Sequence, residues 1–351
     1  MANKEFMEFL SEKHYLSDIL VAQSKSDLQL LAEILDIKGY KKLKIDDLKM
    51  AIYKTLRDPQ IMADYLKYFP YETRKVFSKE ESYIPFQLGP NPYEEIVEHL
   101  YLSPITDEDN WYLVIPEEIK DTYKKAVSMG LLPSKDDIYS LLRICLAGAT
   151  HIYGMCTMEH FCNLVKELTG LDVDSDYVID FCESLKAYPN LANFVATDEY
   201  VCDINLFEEG YDEFLKVQNN TKDYYMPTLE ELTFISEYNH IPFNIHANAV
   251  KNFLTERGYI DEEFKAIVAV ALLQNLITTG FDPDEAIGEI LKEYINEDLF
   301  NRLILSEAFF KRYEAFVNST RIAFFKGHTP EEVFGGEKSG NVVQFPSGEK
   351  N

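Results

Sequence analysis

The chain has 351 residues, enough for two or three domains with cores of their own. An apolar fraction of 46%, with 23 Tyr and 23 Phe, excludes a chain that is disordered throughout. A net charge of −26, from 60 acidic against 34 basic residues, disfavours nonspecific coating of nucleic acid or anionic membrane, because such a surface repels phosphate.

The first segment with a readable pattern spans 24–57. Leu28, Leu31, Ala32 and Leu35 fall on one helical face, and Leu48, Ala51, Ile52 and Leu56 do the same for a second helix. Between them Gly39 can take a positive φ, Leu43 can fill the gap, and Asp46 or Asp47 is placed to cap the second helix. The pattern Leu28-x-x-Leu31-Ala32, Ile37-x-Gly39-Tyr40, Leu43-x-x-Asp46-x-Leu48, Ala51-Ile52 resembles the N-terminal domain of Rho termination factors and, more loosely, the SAP motif. That resemblance covers this module alone. It implies a helix–extended–helix head associated with nucleic-acid binding. The chain departs from a termination factor elsewhere: no succession of five strands follows residue 57, and no GxxxxGK[ST] loop occurs.

Charge bears on the same segment independently. Residues 37–57 carry Lys38, Lys41, Lys42, Lys44, Lys49, Lys54 and Arg57 against only Asp46 and Asp47. A cationic patch on an anionic body is what a dedicated phosphate contact requires, so these seven are the candidate contacts to DNA or RNA. The same lysines also suit an ordinary solvated surface, or a patch docking on an acidic partner or on this chain's own acidic body.

Downstream, helices are expected at 59–69, 71–79 and 92–99. Leu100–Ile105 and Trp111–Ile115, flanking the turn-forming run 106–110, then read as a β-hairpin, and Pro116-Glu117-Glu118 opens another helix. Three helices followed by a hairpin is winged-helix order. The segment in the recognition position, Pro92–Leu100, holds Glu94, Glu95 and Glu98 with no Lys or Arg, which favours protein over DNA. A weaker echo follows: helices at 135–150, 157–168 and 175–186, then 193–196 and 199–202 around Thr197-Asp198. The polar run Gln218–Asp223 reads as a linker.

From 228 onward the pattern is wholly helical, at 228–238, 246–256, 261–278, 282–294 and 297–325. The stretch 261–278 is apolar nearly all round and belongs at the centre of a bundle. N-cap signals with an acid three residues later recur at Ser134, Thr228, Asp282 and Thr329. The segment 318–333, Asn318-Ser-Thr-Arg-Ile-Ala-Phe-Phe-Lys-Gly-His-Thr-Pro-Glu-Glu-Val333, resembles one in uncharacterised bacterial proteins that often precedes a Cys-rich SEC-C metal motif. No cysteine follows Cys202, so that motif is absent.

Five cysteines (Cys145, Cys156, Cys162, Cys182, Cys202), none in a CxxC pair and all in apolar surroundings, suit free thiols in a reducing compartment. No apolar run follows Met1 as in a signal peptide, and the longest apolar stretch, Ala266–Leu273, is far short of the roughly 18 residues of a membrane span. The expected location is cytoplasmic, with no membrane contact. His151, Cys156, His160 and Cys162 invite a zinc reading, but His160 and Cys162, two apart on a helix, point away from each other. No GxSxG or HExxH occurs. The sequence therefore predicts a mainly α, multi-domain, non-enzymatic protein with no cofactor. Its expected parts are an N-terminal helix plus two-helix head (1–57), a winged-helix-like domain (58–133), a second such unit (134–217), a helical bundle (228–334) and a flexible tail (335–351). The function it points to is that of a regulatory or adaptor protein contacting nucleic acid through the head, the alternative being a protein–protein scaffold.

Overall fold

The computed structural model describes residues 4–86, 91–106, 111–209, 212–221 and 223–335. The expected turn at 106–110 and tail at 335–351, apart from Thr106 and Gly335, lie outside the described residues. Among the described residues there are twenty α-helices and only short antiparallel strands, so the protein is mainly α and multi-domain. It divides into two compact units, Met1–Ile144 with Glu183–Ala192, and Cys145–Cys182 with Asn193–Asn351. No helix among the described residues is long and apolar enough to cross a membrane.

The first unit opens with α1 (Lys4–Ser11), α2 (Leu16–Ala22), α3 (Lys25–Ile34), α4 (Ile45–Leu56) and α5 (Pro59–Leu66). Asp58 starts α5 by accepting the N–H groups of Gln60 and Ile61, with Pro59 at the first helical position. There follow α6 (Tyr71–Arg74), a 3₁₀ turn at Lys75–Ser78, β1 (Tyr83–Phe86), α7 (Glu94–Glu98), β2 (Ser103–Thr106), β3 (Trp111–Val114) and α8 (Glu117–Ser128). The strands form an antiparallel sheet in the order β1-β3-β2. Tyr112 and Val114 of β3 pack with Leu10 into a small core. The hairpin strands were legible in the sequence but β1 was not. It contains Pro85, which lacks a ladder donor and is tolerated only because β1 lies at the sheet edge.

Continuing along the chain are α9 (Ile138–Tyr153), β4 (Met155–Thr157), α10 (Met158–Thr169), α11 (Ser175–Leu185), β5 (Phe194–Ala196) and β6 (Tyr200–Asp203). The division between the units falls within α9 and α11. The second sheet, in the order β4-β6-β5, repeats the arrangement of the first: one strand ahead of the hairpin pairs with the hairpin's last strand. A three-residue strand directly after the left-handed Gly154 is too short to show alternation, so β4 was invisible to pattern. The cap of α9 is Asp137, whose carboxylate accepts the N–H groups of Tyr139 and Ser140, and not Ser134 as expected.

The early part of α9 places Arg143, 3% exposed, in an ion pair with Glu95 of α7 and 5.0 Å from the centre of the Phe69 ring. The backbone carbonyl of Glu95 accepts from Tyr65 Oη at 2.7 Å and from Asn190 Nδ2 at 3.2 Å. Arg143→Met is therefore expected to cost about 2 kcal/mol of unfolding free energy, somewhat below the range for a fully buried pair because Glu95 keeps some access to water. Adding Glu95→Gln should recover most of that loss. A double-mutant cycle in urea measures the coupling.

The second unit ends with α12 (Ile204–Glu209), α13 (Asp212–Gln218), α14 (Leu229–Tyr238), α15 (Ile245–Glu256), α16 (Glu263–Thr278), α17 (Pro283–Tyr294), α18 (Glu297–Leu303), α19 (Glu307–Asn318) and α20 (Pro330–Phe334). Ala266, Ala269, Val270, Leu273 and Ile277 of α16 are wholly buried at the centre of its main core, packed against α15 and α17. Thr228, Asp282 and Thr329 cap their helices through the side chain, Thr329 in a full capping box with Glu332.

Two expectations fail here. The single helix over 297–325 is instead α18, α19 and a 3₁₀ turn at Ala323–Phe325, because Ser306 caps a new helix by accepting the N–H of Phe309 and Thr320 Oγ1 donates to the carbonyl of Phe316 at the exit. Nor is Gln218 part of a polar linker: it ends α13 with its side chain 1% exposed.

Candidate nucleic-acid interface

The head is built from α3 and α4. Ser24 and Asp27 form a capping box at the start of α3. Leu28, Leu31 and Ala32 face Leu48, Ile52 and Leu56 across a small buried seam, with Leu35, Leu43 and Ala51 partly covered at its margin. The connection folds back tightly. The Ile37 N–H donates to the Ala32 carbonyl at 2.9 Å, Asp36 and Gly39 take φ of +50° and +73°, and Tyr40–Lys42 close a 3₁₀ turn. Asp46 and Asp47 lie in the first turn of α4, but neither caps it: Lys44 occupies the N-cap and no side chain bonds to the free amides. There the two carboxylates act only through the positive end of the helix.

This geometry sorts the seven candidate cations into two groups. Lys38, Lys41, Lys42 and Lys44 are exposed on or beside the tight turn. Lys38 pairs with Asp36, and Lys41 Nζ lies 5.5 Å from the centre of the Tyr40 ring. Among the described residues no carboxylate forms an ion pair with Lys41, Lys42 or Lys44. The other three follow along α4 and are already engaged or set apart. Lys49 Nζ donates to the carbonyl of Val21 at 3.3 Å, Lys54 is exposed on the solvent face, and Arg57 covers the Tyr53 ring while donating to its hydroxyl at 3.0 Å. Arg57 lies roughly 20 Å along the helix from Lys44, with the acidic first turn between them. The structure thus gathers the turn lysines and disperses the rest.

Tyr40 is a neighbour that charge counting passes over. Partly exposed and held at the start of the turn among the lysines, it offers an aromatic face next to the cations. Its signal in the sequence was its place directly before Lys41-Lys42.

The two winged-helix-like segments present the opposite charge. The exposed face of α11 carries Asp176, Asp180 and Glu183 and no Lys or Arg. In α7, Glu94 and Glu98 join Glu95, and burial together with Glu98 raises the Glu94 carboxyl above its ordinary range.

The residues weighed for zinc have other surroundings. His160 and Cys162 both lie on α10, and the His160 ring stacks on Tyr224 with centroids 4.0 Å apart. Cys145, Cys156, Cys182 and Cys202 are buried free thiols and Cys162 is partly exposed. Among the described residues no group of three or more His, Cys, Asp or Glu is placed to hold a metal ion. No protein-family model matches the chain, and neither a curated protein nor a solved structure matches it.

Proposed function

We propose that this is a non-enzymatic adaptor that contacts DNA or RNA through the lysine turn at 38–44 and engages other proteins through its acidic helical body. The turn carries the reading. It concentrates cations, three of them without an ion-pair partner among the described residues, on a chain whose net charge of −26 repels phosphate overall. Tyr40 adds a ring on which an unpaired base can stack. The resemblance of 24–57 to the N-terminal domain of Rho termination factors points the same way. The acidic segment in the recognition position, α7, and the acidic exposed face of α11 favour protein partners there, because a carboxylate face entering a groove would meet phosphate on both sides.

The test is binding of the full chain to single- and double-stranded oligonucleotides at low salt. Lys41→Glu/Lys42→Glu/Lys44→Glu is expected to weaken binding at least tenfold, whereas Lys54→Glu, away from the turn, should change it less than threefold. Equal effects of the two variants would remove the turn from the interface.

A further inference from the structure

We draw no further inference here: the strongest candidate, the exposed apolar corner of Ile304, Leu305 and Phe310 where α18 meets α19, carries nothing because no feature of the structure shows what covers it.

Discussion

Gln218→Leu is expected to destabilise the second unit by about 4 kcal/mol, a large share of what holds a domain of this size together. The Gln218 side chain is 1% exposed, and its Nε2 faces three backbone carbonyls: Tyr153 and Met155 at 3.0 Å and Ala323 at 3.1 Å. One amide thus ties the end of α9, the strand β4 and the 3₁₀ turn at Ala323–Phe325 to the end of α13. Two N–H groups serve three acceptors, so one is shared. Leucine nearly fills the volume but leaves the carbonyls facing methyl groups, at about 1–3 kcal/mol for each that finds no water. Gln218→Glu should be at least as damaging at neutral pH, because a carboxylate there faces only acceptors. It should recover as the pH falls and the acid protonates into a donor. Urea denaturation followed on a second-unit probe measures both variants, and a loss below 1 kcal/mol for Gln218→Leu would show that the carbonyls are satisfied in some other way.

A comparable effect is expected from acid. The imidazoles of His99, His151 and His160 are each pulled down to about 4, in every case chiefly by burial. For His99 the Glu95 carbonyl partly offsets burial, and for His160 the charge of Lys326 adds to it. The sign follows from linkage. Between about pH 6.5 and 4 the unfolded chain takes up protons that the folded chain refuses. Stability is therefore intact above the ordinary histidine value, declines as the pH falls through this window, and levels off below about 4. For His99, 2% exposed, the loss at pH 5 is about 2 kcal/mol. His151 and His160 add to it, reduced by their greater access to solvent.

Opposing contributions are present. Protonation of the surface carboxylates relieves the self-repulsion of a chain at −26, and the Glu94 and Glu95 carboxyls, both raised chiefly by burial, favour the folded state as they protonate. Both act mainly toward the lower end of the window, so the histidine signal is cleanest between pH 7 and 5.5. His99→Phe keeps the stack on Tyr65, whose ring lies 3.7 Å away, and removes one titrating group. Chemical denaturation across that range should give a visibly shallower slope for the variant. Parallel profiles for variant and wild type would mean that His99 takes up its proton in the fold as readily as in the unfolded chain.

How much was legible in advance follows from what each feature depends on. The helices of the second unit were readable because caps such as Thr228, Asp282 and Thr329 are local and apolar spacing survives in a single sequence. The breaks at Ser306 and after Asn318 were not, since apolar residues run straight through them and the decision falls to side-chain hydrogen bonds. Strands β1 and β4 gained their identity only from partners far along the chain, β3 and β6. Charge exposed the lysine turn, while the split between turn and helix needed the backbone at Gly39 and the contacts of Lys49 and Arg57. The role of Gln218 was misread because a polar run gives no sign that three distant carbonyls wait for one of its members.

The most direct test of nucleic-acid contact through the turn is the salt dependence of oligonucleotide affinity. Four lysines meeting phosphates should give a slope of about −3 in the logarithm of the association constant against the logarithm of salt, and Lys42→Gln alone should flatten it by about 0.8. A folded protein that binds no oligonucleotide at low salt, or a slope unmoved by Lys42→Gln, would contradict the account.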